Sequence, residues 1–281
     1  MSSAGIITIL LIIVTVITSY KGFTNSIFFD KYKFQVDKIL LYRDYKRLVT
    51  SGFLHVNWLH LLFNMFCLYF FSGMLEGGLG PWYFLLIYFA SLIGGGLVSL
   101  VIHRRHGDYS SVGASGAVWG VLFACVALYP GMSISLFPLP LSMPVWLYAL
   151  IFVLITIYAI RSKKNNIGNE SHLGGAIVGM VLALIISPMS LVNNYGKILI
   201  VLLPAVIFLY LIITRPHLLL IDNLFYRTHQ QYYSIDHQYN VERRDEQQEI
   251  DRILDKINKK GMRSLNKKEK ETLKAYSKSV R

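Results

Sequence analysis

Three short segments set residues capable of chemistry among apolar neighbours. Gly113-Ala114-Ser115-Gly116 places a hydroxyl between glycines at the start of an apolar run. Ser171-His172-Leu173-Gly174-Gly175 puts an imidazole at the entry of another, and no other ionisable group follows it there. His60-Leu61-Leu62-Phe63-Asn64 carries an imidazole and a carboxamide four residues apart, on one face of a helix. A polar group is costly in hydrocarbon, so these are the positions where function is sought. A serine whose proton passes to a histidine is an activated nucleophile. Neutral donors, together with the unpaired backbone amides of a helix start, can hold the oxyanion that its attack creates.

Each segment also has a packing explanation. Gly116, Gly120 and Ala124 form a small-residue stripe that admits a neighbouring helix, within which Ser115 could simply hydrogen-bond. His172 could be an interfacial or a satisfied core residue. Gly175 and Gly179, however, fall at i+3 and i+7 from His172, so the close-packing face and the histidine face coincide. Packing of the two glycine stripes would bring His172 to Ser115. Metal chemistry is the alternative for His60, with His55 as a further ligand. No Asp, Glu or Cys completes such a site at suitable spacing, and His-Glu-x-x-His is absent. No metal or cofactor is expected. A pair of intramembrane aspartates is also missing, since no Asp lies within any apolar run.

The elements that must position these residues are legible as the runs themselves. The chain has 281 residues, of which 54% are hydrophobic and 16% charged. Stretches of about 20 apolar residues match a hydrocarbon core about 30 Å thick and predict helices, because lipid offers backbone amides no partner. The expected spans are Ala4–Tyr20, Trp58–Glu76, Pro81–Ile102, Gly113–Tyr129, Pro144–Ile160, Ser171–Ile186 and, as a seventh, Ile198–Thr214. The first lacks a basic flank and a small-residue cleavage site and is kept as a span. Residues 21–57 form a long loop rich in Phe, Ile and Leu that should lie on or in the membrane surface. Cys67 and Cys125 sit inside apolar runs and read as core residues. The net charge of +12 comes from residues that flank spans or sit in the tail, so nucleic acid is not the expected partner. In the polar tail, 217–281, Ile250, Ile253, Leu254 and Ile257 form one helical stripe, and Gly261 is a stop. Asn266-Lys-Lys-Glu269 starts a second helix. This is a helical hairpin or a regulatory module.

Taken together, Arg47 through Thr50 with Phe53-Leu54-His55, His60 through Met65, Glu76, Gly113-Ala-Ser115-Gly116 and His172-Leu-Gly-Gly175 resemble the rhomboid family of intramembrane serine proteases. The likeness extends over about residues 28–186. It implies an all-α polytopic fold, a six-helix bundle over residues 1–190, here followed by a seventh span at 195–214 and a helical tail at 217–281. It implies Ser115 as nucleophile, His172 as general base, and His60, Asn64 and the backbone of Ser115 and Gly113 around the oxyanion. Trp119 stands where the family often has a tyrosine stacked on the histidine, and an indole is expected to stack there too. Gly116, Gly175, Gly179, Glu76, Arg47 and His55 are expected to support the site, while Asp108 and Glu170 are read as loop residues that need not act as an orienting acid. Substrates would be transmembrane helices of other proteins, met in the bilayer of a bacterial cytoplasmic membrane. The alternative is a catalytically idle relative that binds membrane clients. The resemblance puts the first loop on the outer face, whereas Lys21, Lys31, Lys33, Lys38, Arg43, Lys46, Arg47, Arg104, Arg105, Arg161, Lys163 and Lys164 all crowd that side, against the positive-inside tendency.

Overall fold

The computed structural model describes residues 5–104, 106–135, 142–162 and 168–214, with single positions of the tail between 250 and 276. The chain divides into two compact units, residues 1–232 and 233–281.

The first unit is helical, as apolar runs in lipid must be. Its long helices are α1 (Ile6–Thr24), α5 (Trp58–Leu79), α6 (Pro81–Ile102), α9 (Asn169–Ile186) and α10 (Met189–Thr214), each long and apolar enough to cross a membrane. Two apolar helices are shorter, α7 (Ser115–Leu128) and the stretch Val145–Ile160 within α8 (Val145–Ser162). This is an integral membrane protein of the all-α class. The run expected from Ile198 starts nine residues earlier, at Met189, and continues through Pro204. The run expected from Gly113 becomes helical only at Ser115, because Gly113 has φ +133°.

Helix ends follow local chemistry. Asn57 caps α5 by accepting the His60 N–H, and Gly80, at φ +85°, separates α5 from Pro81 at the start of α6. Every residue of α7 from Gly116 to Ala127 is buried. A helix with no exposed face is enclosed by its neighbours. Here those are chiefly α9, α6 and α5. Fourteen residues rise only about 21 Å, less than the hydrocarbon thickness, so a crossing at α7 must be completed by the segments that flank it.

The segment between α1 and α5 is folded, not a bare loop. It contains α2 (Ser26–Tyr32), β1 (Phe34–Gln35), α3 (Val36–Leu40), α4 (Arg47–Thr50) and one 3-10 turn, Ser51–Phe53. Phe34, Val36, Ile39 and Leu48 bury together as its own small core. Strand β1 pairs antiparallel with β2 (Ser110–Ser111), which ties this segment to the approach to α7. A second small hairpin, β3 (Ser133–Ser135) with β4 (Ser142–Pro144), links α7 to α8.

In the tail unit, Ile250, Ile253 and Leu265 are buried while Leu254 is exposed, and Lys256 Nζ lies 2.9 Å from both carboxylate oxygens of Glu269. The expected stop at Gly261 and cap at Asn266 fall outside the described residues, as do Arg105, Lys163 and Lys164.

Candidate active site

The close approach of α7 and α9 is made by glycines. A side chain on Gly175 would overlap the carbonyl oxygen of Gly116, and one on Gly179 would overlap that of Gly120. Gly120 is in turn pressed against Ser91 of α6. With no Cβ between them the backbones touch, and residues one turn nearer the helix starts come within hydrogen-bond reach. Ser115 is the first residue of α7 and His172 lies in the first turn of α9. Ser115 Oγ and His172 Nε2 are 2.7 Å apart, and His172 is 8% exposed. With the ring's proton on Nδ1, Nε2 accepts from the serine hydroxyl.

On the other side of Ser115 stands His60, at the start of α5. A Cβ on Gly113 would lie 2.9 Å from His60 Cε1, 3.1 Å from its Nε2 and 3.7 Å from Ser115 Oγ, so imidazole and hydroxyl converge on Gly113. His60 Nδ1 is buried without a hydrogen-bond partner. Asn64, one turn along, donates one amide proton to the His60 carbonyl at 2.9 Å and keeps a second N–H. The Gly113 N–H, expected among the oxyanion donors, donates to the Ser51 carbonyl at 3.0 Å. That bond fixes the turn into α7, whose first residue is Ser115.

The residues expected to support the site have definite partners. His55 is fully buried and carries a relay: its Nδ1 is 2.9 Å from Ser19 Oγ, which donates to the Phe53 carbonyl, and its Nε2 accepts the Ala114 N–H at 3.4 Å. Burial, reinforced by the neighbouring His60, pushes the His55 pKa down to about 3, so the ring is neutral as this relay requires. Arg47 is buried and bonds the Asp30 and Lys33 carbonyls through Nη1 and the Asp44 carboxylate through Nε, closing the first-loop fold. Glu76 accepts the Ile7 and Thr8 amides and the Thr8 hydroxyl, capping α1 from the far end of α5. Among the described residues no three His, Cys, Asp or Glu side chains converge as a metal site.

Two expectations are corrected. Trp119 does not lie flat on His172: the rings are 6.2 Å apart and tilted by 46°. Its indole stacks on Phe152 of α8, which also borders His172 at 6.0 Å and had no mark in the sequence beyond an apolar run. Glu170 is not a loop residue. It belongs to the first turn of α9 and is buried, in contact with Tyr109 and His103.

Comparison with known proteins gives this arrangement its context. The family model described as "Rhomboid domain" matches residues 42–189, just over half of the chain. A second model, a family of unknown function, matches residues 233–279. The chain is similar to Rhomboid protease AarA of Providencia stuartii, 32% identical over 200 residues, covering 63% of this chain and 70% of that protein. It is similar to Rhomboid protease GluP of Bacillus subtilis, 31% identical over 163 residues, covering 58% and 30%. RHOMBOID-like protein 12, mitochondrial, of Arabidopsis thaliana is 30% identical over 150 residues, covering 48% and 44%. The chain spans about half the length of several curated relatives that it matches. Relatives named mitochondrial and chloroplastic stand beside bacterial ones, so the likeness places the chain in a membrane without choosing the compartment. With a Rhomboid domain over most of its membrane body, this chain belongs to the rhomboid family.

Proposed function

We propose that this protein is a serine-type endopeptidase that cleaves transmembrane helices of other proteins within or at the edge of the bilayer. The observation that carries the reading is the 2.7 Å contact between Ser115 Oγ and Nε2 of the buried His172. Relatives named as proteases support it.

In the proposed reaction His172 Nε2 takes the Ser115 proton as Oγ attacks the scissile carbonyl carbon. The negative charge on the carbonyl oxygen is met by the Ser115 amide, the free Asn64 N–H and the His60 ring. The imidazolium then gives its proton to the leaving amine, and the peptide bond breaks to leave an ester on Ser115. Water, deprotonated by His172, hydrolyses that ester and restores the serine. The proposed reaction uses this dyad without an acidic third member.

The test is labelling by a fluorophosphonate probe in proteoliposomes. Wild-type protein is expected to label at Ser115, and Ser115→Ala and His172→Ala to label at background. Equal labelling of all three would reject the dyad and leave the client-binding reading. Asn64→Ala is expected to slow labelling by about 10²- to 10³-fold, the usual effect of removing one oxyanion donor.

A further inference from the structure

A buried carboxylate stands two residues before the proposed base. Glu170 is 9% exposed, and its Oε1 accepts the Tyr109 hydroxyl at 2.8 Å and lies 2.7 Å from His103 Nε2. The rings of His103 and Tyr109 are themselves stacked, 3.6 Å apart and 7° from parallel. His103 is the C-terminal cap of α6, and Tyr109 is the residue before β2. Backbone bonds hold both in place: His103 donates to Ser99, His106 to His103 and Tyr109 to His106, while the Tyr109 carbonyl accepts from Val36 in the first-loop fold. One carboxylate therefore joins the end of α6, the strand leading into Ser115 and the start of the helix that carries His172.

That helix start lacks the ordinary fastening. Its N-cap is Gly168, with no side-chain cap hydrogen bond. The first amides of a helix have no intrahelical partners, and the first turn is where helices fray. His172 stands in that turn, so the reach of its Nε2 to Ser115 Oγ moves with it. An acidic side chain is well placed at a helix N-terminus, and here it is also anchored from outside by two rings.

We propose that Glu170 is a positioning residue for His172: its carboxylate, held by Tyr109 and His103, keeps the first turn of α9 where the imidazole can reach Ser115. The proposal rests on the reading of Ser115 and His172 as the reacting pair. Glu170 touches neither reacting atom and takes no proton in the reaction; its part is to hold the helix start in place. Its link to these rings was invisible in the sequence, because the partners lie 67 and 61 residues away.

The experiment uses the full chain in proteoliposomes and separates kinact from KI for fluorophosphonate labelling, with melting measured in parallel. Displacing a reacting group by about 1 Å costs on the order of 10²-fold, so Glu170→Ala is expected to lower kinact about 10- to 100-fold with KI little changed. Glu170→Gln keeps a carbonyl acceptor for Tyr109 and is expected to restore most of that loss. Tyr109→Phe, which deletes one hydroxyl, is expected to lower kinact by less than Glu170→Ala. Wild-type kinact in Glu170→Ala, or a Gln variant as slow as the Ala variant, overturns the proposal. If Glu170→Ala fails to melt cooperatively, Tyr109→Phe decides, and an unchanged kinact there overturns it. Labelling of Ser115→Ala at the wild-type rate would instead reject the dyad itself, whereas a silent Ser115→Ala beside a normal Glu170→Ala rejects only the positioning role.

Discussion

At the scale of single residues, Gly113 decides how Ser115 is presented. Its φ of +133° is open to glycine and strained for any residue with a Cβ, at a cost of about 1–3 kcal/mol. The space is closed as well, since a methyl there would lie 2.9 Å from His60 Cε1. Gly113→Ala must therefore either rotate the turn that precedes α7 or push the imidazole away from the serine. Both movements separate groups that the proposed oxyanion needs together. The expected result is a protein that still melts cooperatively but labels with fluorophosphonate about 10²-fold more slowly, the scale of a 1 Å misplacement. Labelling within a factor of two of wild type would show that His60 and Gly113 play no part in the site.

At the scale of elements, the spacing of glycines was the readable part. Gly116 and Gly120 on one helix and Gly175 and Gly179 on another share a four-residue period, and periodicity is what a single sequence displays. The contacts between them follow from that, and so does the approach of Ser115 to His172. Phe152 against Trp119, Ser19 beneath His55 and Glu170 on Tyr109 were not readable. Each is a side chain meeting a distant partner, with no period and no fixed spacing to mark it. The fold of residues 25–57 was visible only as a long apolar loop, because β1 finds its partner in β2 more than seventy residues later. The glycine contact predicts a specific sensitivity. In Gly175→Ala the added methyl meets the Gly116 carbonyl, which is backbone and cannot swing aside. Overpacking of this kind costs about 1–3 kcal/mol, and Tm is expected to fall by several degrees, with slower labelling as α7 and α9 part. Gly196→Ala is the control: in α10 nothing lies within 4 Å of its would-be Cβ, so its Tm should hold or rise. Equal melting of the two variants would remove the close-packing argument.

At the scale of the molecule, the seven apolar helices among the described residues fix, by their order, which loops share a face. If α1, α5, α6, α7, α8, α9 and α10 each change sides, then the first-loop fold, the approach to α7 at 107–112 and the end of α10 at Thr214 lie on one face. The turn between α7 and α8 lies on the other. The basic residues of the first loop argue against that face being external. Yet Arg47 is consumed by buried bonds to two carbonyls and Asp44, while Lys33 and Lys46 pair with Asp30 and Asp44, so three of the seven basic residues between 21 and 57 serve to fold the loop. External placement of the first loop is accordingly the expectation. Single cysteines introduced at Tyr42, Thr214 and Gly131 test it with a membrane-impermeant maleimide, the native Cys67 and Cys125 being buried. Tyr42→Cys and Thr214→Cys are expected to label in intact cells, and Gly131→Cys only after permeabilisation. Thr214→Cys labelling together with Gly131→Cys would mean that α10 does not cross. A reversed pattern at all three positions would keep the seven crossings and turn the site to the inner face, where the charge count had placed it.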